Sequence, residues 1–474
     1  MQHVRTIASI LTAAVLAAAC AVGPEYETPA IDTGGGWAEA AATTEAELDL
    51  SRWWRRFDDA VLDRLVAQAL EQNLDVRQAT ARVAEARALR AAAAGGRYPL
   101  VETSASVTRR RQSENGPLPI GQIPGLERDQ TIYEPGFDAL WELDLFGRTR
   151  RTVEAADARV EAAVERQRGA QMTVAAETAR SYLALRGTQH ELQARRAAVA
   201  ATRSSAELVR MQFEAGQVPE AAVVQTEAEL AAVEAGLPPL EAQVRTAALS
   251  IGILLGDLPE AGLALVDQAP EYAALAPYPV GERADLLRRR PDVRAAERAL
   301  AAATAEVGVA TAELFPKISI GAGGGFQSLE PGELFESDSQ TWSVVPLISW
   351  RVFDGGRVRA QVDAAEARVE LAALEYEQAV KQALTDAELA LTRYDLGLDA
   401  LERQDTAVAA ARTSYGHATT RYRAGDISLL ELLDAERVLR NAEDAYARIH
   451  ARAATDLVAL FKALGGGWED AGRG

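Results

Sequence analysis

Apolar residues recur along this chain on two different periods. Val380, Ala387, Tyr394, Leu401, Val408 and Tyr415 return every seven residues, interleaved with Leu384, Leu391 and Leu398. After a turn-forming Gly425-Asp426, the residues Leu432, Ala435, Leu439, Ala442, Tyr446 and Ile449 continue in threes and fours. Such spacing predicts two long helices joined by a tight turn and packed along a coiled-coil seam. In the first half of the chain, 66 residues from Thr149 to Glu214 contain no proline. As a helix, that run would measure about 100 Å at 1.5 Å per residue. A rod of this length spans or lines something.

Between the helical runs the period shortens to two. FDALWELDLFG (137–147) sets Phe137, Ala139, Trp141, Leu143 and Leu145 against Asp138, Glu142 and Asp144. TWSVVPLISWRVF (341–353) aligns Trp350 with Trp141 and Val352 with Leu143, and each is preceded by a further strand candidate, VETSASVTR (101–109) and ISIGAGGGF (318–326). Strands of about ten residues with one apolar face fit a membrane-crossing barrel with a polar lumen, and they fit equally an antiparallel sheet lying on helices. Trp141 and Trp350 suit a membrane-interface belt or a core. Pro346 needs an edge strand or a bulge.

The two halves are one unit written twice. At an offset of 209, VEAADARVE (153–161) lies over VDAAEARVE (362–370), Gly216 over Gly425, and Leu255-Gly256 over Leu464-Gly465. Earlier in each half the offset is 217, with LDVRQATARVAEARA (74–88) over PDVRAAERALAAATA (291–305), which predicts a longer loop in the first half. Each unit opens with one helix, 58–96 and 283–314, and continues through two strands into a long helical hairpin. GLPPLE (236–241) places two prolines in a helix whose counterpart, AYARIHA, is unbroken, and predicts a kink there.

The boundaries that follow are a signal at 1–19, an N-terminal and equatorial segment at 20–57, a first repeat at 58–256, a linker at 257–282, a second repeat at 283–465 and a tail at 466–474. The first repeat holds strands at about 99–110 and 133–146 and a hairpin at 148–256; the second holds strands at about 316–327 and 341–353 and a hairpin at 357–465.

Composition narrows the class. Abundant alanine, 6% aromatics and 25% charged residues suit long packed helices, and a formal net charge of -19 offers no basic stripe for nucleic acid. At the N-terminus, Arg5 precedes an apolar run from Ile7 to Leu16 that is too short to cross a bilayer, so an export signal is expected. Ala17, Ala18 and Ala19 lead into Cys20, the only cysteine. Cys20 reads either as a soft residue near an ordinary cleavage site or as the acylated cysteine of a lipoprotein. His190, His417 and His450 stand apart on helices without metal-ligand spacing, and GAGGG (321–325) follows no nucleotide-binding plan, so catalysis, a metal and a cofactor other than covalent lipid on Cys20 are not expected.

CAVGPEYETP, WWRRFDDAVLDRLVAQALEQNLDVRQA, WELDLFGRTRR, LLRRRPDVRAAE, FPKISI, VFDGGRVRA, YRAGDISLLELLDAERVL and the final ALGGGW occur in order from residue 20 to residue 468. The ordered set resembles the TolC-like outer-membrane efflux proteins, in particular the nodulation-T-type lipoproteins that serve resistance-nodulation-division (RND) pumps. The resemblance implies a mainly α fold with a small β part. Three chains would each give four strands to a 12-stranded transmembrane β-barrel, and their long hairpins would form an α-barrel. It implies a homotrimer in outer-membrane lipid, extending into the periplasm and working with a periplasmic adaptor and an inner-membrane RND transporter. A type I secretion duct, or a structural coiled-coil lipoprotein of the periplasm, are the alternative readings.

The hairpin tips carry the remaining candidates. Gly216 and Gly425 suit left-handed helix ends, Ser428 with Glu431 forms a capping box, and Pro219 suits the opening turn of the matching helix. By the resemblance, Leu430, Glu431 and Asp434 fall where relatives narrow their periplasmic aperture, and Tyr422 falls where a tip tyrosine is expected. Rings of carboxylates there would favour cations. Glu431 is also explained by its cap and Leu430 by hairpin packing. Ile427 and Ala222 occupy positions where some relatives carry a basic–acidic latch, so closure is expected to rest more on apolar contact than on salt bridges; packing alone would also explain Tyr422.

Overall fold

The computed structural model describes residues 21–37, 50–113, 127–268, 271–278 and 280–468. Cys20 lies outside them. The helices are α1 (Ala60–Gln72), α2 (Leu74–Gly95), α3 (Arg148–Glu214), α4 (Glu220–Glu234), α5 (Leu237–Leu254), α6 (Asp285–Arg289), α7 (Pro291–Ala312), α8 (Arg357–Ala424) and α9 (Leu429–Ala463). The strands are β1 (Leu100–Arg111), β2 (Asp129–Leu143), β3 (Lys317–Phe326) and β4 (Gln340–Ser349). Among the described residues no helix is long and apolar enough to cross a membrane. The chain forms two compact units, and each draws on both sequence repeats.

The first unit comprises the described residues up to Pro29, Ala84–Ala162 and Ala296–Glu375. Its four strands form one antiparallel sheet in the order β1-β2-β3-β4. Register carries the alternation across all four strands. Val101, Ala139, Ala322 and Val344 form one row, and Thr103, Phe137, Gly324 and Trp342 another on the same face. The intervening row is Glu102, Asp138, Gly323 and Ser343 on the opposite face. One face is therefore mainly apolar, with Arg109, Arg111 and Asp129 at its far end, and the other carries the acidic row beside an apolar row of Leu100, Leu140, Gly321 and Val345. Pro346 pairs with Ile320 from β4, the edge strand of this chain's sheet, as expected of a strand proline.

Two strand expectations are corrected. β2 starts at Asp129 and stops at Leu143, and β4 stops at Ser349, so Leu145, Trp350 and Val352 lie beyond the strands. The chain leaves the sheet early because carboxylates draw it into the next helix. Asp144 accepts from the N–H of Thr149 (3.0 Å) and Arg150 (2.8 Å), and Asp354 accepts from the N–H of Gly356 and Val358 at 3.0 Å each. The extra length of the first half is also more than a loop. β1 and β2 have 12 and 15 residues where β3 and β4 have 10 and 10.

The second unit comprises Ala30–Val83, Ala163–Ala295 and the chain from Tyr376 onward. Its core joins Trp53, Trp54 and Phe57 to Leu62, Leu65 and Val66 of α1, Tyr182 and Leu185 of α3, Ile251 of α5, Leu391 and Tyr394 of α8 and Phe461 of α9. Trp53 stacks on Phe461 at 5.0 Å. The predicted seam is present where Val380, Ala387, Leu391, Tyr394, Val408 and Leu439 are buried.

Each opening helix is broken rather than continuous. α1 gives way to α2 at Asn73 and α6 to α7 at Arg290, residues related by the 217 offset. Asn73 donates its side-chain amide to the Leu254 carbonyl (2.9 Å) and accepts from the Asp75 N–H (2.8 Å). Arg290 donates to the Ala463 carbonyl (3.4 Å) while binding Asp292 and Asp386. In both repeats, then, the break receives the C-terminal end of the returning helix and satisfies one of its orphan carbonyls. Helix α5 starts at Leu237 with its prolines in the first turn, so the kink at GLPPLE is a true break after α4, whereas α9 is continuous.

Gly256 closes the first of these junctions at φ +74°, and a Cβ there would stand 2.3 Å from the Gln72 carbonyl oxygen. Gly256→Ala should cost about 2–3 kcal/mol, from backbone strain plus this clash, and should lower the thermal midpoint followed by circular dichroism. An unchanged midpoint would contradict the junction's geometry.

Candidate functional site

Both hairpin tips use the same backbone device. Gly425 sits at φ +81° and Gly216 at φ +72°. The Gly425 N–H donates to the Tyr422 carbonyl (3.0 Å) and the Asp426 N–H to that of Arg421 (2.9 Å); Gly216 to Phe213 and Gln217 to Gln212 repeat this at 2.8 Å each. These paired bonds define a Schellman ending, which glycine enters without a Cβ penalty.

The outgoing helices start differently. At the N-cap of α9, the Ser428 N–H donates to the Glu431 carboxylate (2.8 Å), and the Glu431 N–H donates back to the Ser428 hydroxyl (3.3 Å), a complete capping box. Pro219 occupies the N-cap of α4 and not its first turn; its carbonyl accepts from the Ala222 N–H (3.0 Å).

The aperture candidates of α9 are exposed to different degrees and carry different partners. Leu430 is 65% exposed, which removes the hairpin-core reading. Glu431 is held below the usual carboxylate range by the Ser428 N–H and then by the Ser428 hydroxyl. Asp434 has no cap to make, yet it is not a lone charge, because it pairs with Arg437 one turn on. That pairing weakens the expected ring of bare carboxylates. Tyr422 accepts a hydrogen bond on its hydroxyl from the Gln212 side chain (3.3 Å), so a polar contact joins α8 to α3 near the tips in addition to packing.

Sequence reasoning missed Glu436. It is buried at 8% exposure, and burial pushes its carboxyl above the ordinary value; Arg440 at 4.0 Å opposes this shift and Glu229 adds to it. The signal was an acid next to Ala435 on the apolar stripe of α9.

In the first unit the two tryptophans share one role. The Trp141 indole N–H donates to the Arg97 carbonyl and that of Trp350 to the Leu314 carbonyl, each at 3.0 Å. Arg97 and Leu314 are themselves related by the 217 offset, and both lie between a helix end and a strand start. Each indole therefore ties a strand end to the preceding helix while keeping an exposed apolar ring. At the same level the Val22 N–H donates to the Phe146 carbonyl (3.1 Å), and Arg151 donates to the Val22 carbonyl (3.2 Å).

The family model described as "Outer membrane efflux protein" matches residues 65–257 and 283–466. The toluene efflux pump outer membrane protein TtgF of Pseudomonas putida is 32% identical over 467 residues, covering 95% of each chain. Nodulation protein T of Rhizobium leguminosarum bv. trifolii is 31% identical over 462 residues, covering 96% of each. The solved structure of the outer-membrane channel OprN superposes with a TM-score of 0.84 at 38% identity, over 95% of this chain and all of the other. The match spans both repeats, the four strands and the long hairpins: the chain belongs to the outer membrane efflux protein family and has the TolC-like fold.

Proposed function

We propose that this protein is the outer-membrane exit duct of a tripartite RND efflux pump, conducting small toxic molecules passively from a periplasmic adaptor and an inner-membrane transporter to the exterior. The observation that carries it is the sheet. Four strands with one mainly apolar face leave β1 and β4 as unpaired edges. Backbone groups at an open edge have no partner in lipid, so such a sheet is stable there only when closed. Three copies joining edge to edge would close it into a barrel of the usual size range. Helices of 67 and 68 residues, each about 100 Å long, would carry the same lumen across the periplasm. Conduction of this kind makes and breaks no covalent bonds, and energy comes from the transporter. TtgF is named for a toluene pump, which supports organic solutes as the substrate class.

Three further assignments belong to this reading. Cys20 carries the lipid, since Val22 is already pinned to the β2–α3 junction, close to where a strand would leave the bilayer. Trp141 and Trp350 mark that interface. Leu430, Glu431, Asp434 and Tyr422 form the periplasmic aperture, shaped by tips at Gly216, Pro219, Gly425 and Ser428. The segment boundaries read from the repeat stand as the working division of the chain.

Purified protein should run as a trimer in mild detergent and give stepwise single-channel currents in planar bilayers; a monomer that never conducts would end the proposal. Cys20→Ala should abolish incorporation of radiolabelled palmitate in growing cells, and persistent label would refute acylation at this residue. Asp434→Ala leaves Arg437 without its counter-charge, so cation preference in a salt gradient should drop; an unchanged reversal potential would remove Asp434 from the aperture.

A further inference from the structure

Within the second unit, residues 271–278 form a segment without regular structure. Four rings hold it. Tyr272 lies flat on His190 of α3, with centroids 3.7 Å apart and planes 3° from parallel. From α9, His450 meets the same tyrosine at 4.6 Å and Tyr446 meets it at 5.5 Å, both edge-on. Beside this stack the His450 Nε2–H donates to the Ala273 carbonyl (3.0 Å), and further along the Tyr394 hydroxyl of α8 donates to the Ala276 carbonyl (2.6 Å).

We propose that residues 271–278 form an acid-sensitive clasp, held against α3 and α9 while His190 and His450 are uncharged and loosened when they take up protons. The geometry sets the sign. His190 Nε2 is buried with no hydrogen-bond partner among the described residues, so an imidazolium there would place an N–H where no acceptor stands. The charge on α3 that acts on the His190 ring is Arg186, which is buried and cationic. A charged His190 would also face a charged His450.

The other groups around the clasp do not reverse this. Glu191 of α3 is engaged by Arg448 of α9 at 3.3 Å, and Asp444 of α9 by Arg195 of α3 at 3.3 Å. Glu443 of α9, whose charge reaches Tyr272, is shared between Arg412 and Arg440. Asp405 of α8 acts on Tyr446. The Glu271 backbone, the Ala273 carbonyl and the face of Tyr272 favour the cations. Burial outweighs them, and both histidines are held below the ordinary imidazole value, first by burial. A base whose proton affinity is lowered by folding stabilises the folded arrangement fully above its free value of about 6.5, and that contribution is lost as pH falls below it.

In the duct this segment belongs to the linker between repeats, and it ties α3 of one hairpin to α9 of the other. Loosening it frees the hairpins to move apart, a consequence that rests on the duct reading. The clasp itself does not depend on that reading.

Hydrogen–deuterium exchange on the intact protein in detergent tests it, with rates corrected for the intrinsic effect of pH. Between about pH 7.5 and about pH 5.5, peptides covering 271–278 should lose protection by roughly tenfold or more, while peptides of β1–β4 should not respond. The double variant His190→Phe, His450→Gln keeps a ring on Tyr272 and a donor for Ala273 and should show no such loss. Should it not assemble, His190→Phe alone is expected to diminish the response. Equal protection of the wild type at both pH values, or an undiminished response in the variant, overturns the clasp. Bilayer currents from the same preparation separate the two readings: a conducting duct with an unresponsive segment sinks the clasp alone, and a responsive segment without currents sinks the duct alone.

Discussion

The backbone groups on the outer edges of β1 and β4 constrain everything else in this chain. A four-stranded sheet in water can leave its edges to solvent, but one whose mainly apolar face lies in lipid cannot. Closure with further copies is the remaining solution, and it makes the long hairpins components of a shared wall instead of free rods. Pro346 on β4 has no N–H to give, so the closed ladder must not need a donor at that position. Ladder geometry and register thus connect single residues to the oligomer.

The repeat is conserved as chemistry more than as sequence. An indole donates to a helix-end carbonyl in each half, although the carbonyl belongs to Arg97 in one and Leu314 in the other. Asn73 and Arg290 share no side-chain chemistry beyond a donor that can reach a carbonyl, yet both interrupt a helix at the matching position and both receive the end of a returning helix. The asparagine leaves a neutral junction. The arginine builds an ionic one, with Asp292 and Asp386 against a guanidinium that is 7% exposed. Such a buried charge is stable only when fully paired, which ties the second junction to α8 in a way the first has no need of.

Charge near the tips is more balanced than the acidic total suggests. Asp434 is offset by Arg437, Glu431 is committed to its cap, and Glu436 is withdrawn into the packing. The clasp at residues 271–278 follows the opposite logic, with uncharged imidazoles placed where a proton would meet Arg186 and a second histidine. One feature tolerates charge by pairing it. The other depends on its absence.

Heptads, strand alternation and the tip residues were legible from the chain alone because each is local: a period of seven or two, a glycine that must turn left-handed, a serine three residues before a glutamate. The two-fold repeat was legible by laying one half over the other, and the TolC-like fold through the resemblance that the ordered motifs carry. The breaks at Asn73 and Arg290, the exposure of Leu430 and the burial of Glu436 depended on partners far along the chain. So did the meeting of His190 with Tyr272 and His450, which lie 82 and 260 residues away in sequence. The compact units likewise cut across both repeats. Local backbone preference acts within a few residues and can be read in order, whereas burial and long-range hydrogen bonding exist only once the helices have packed.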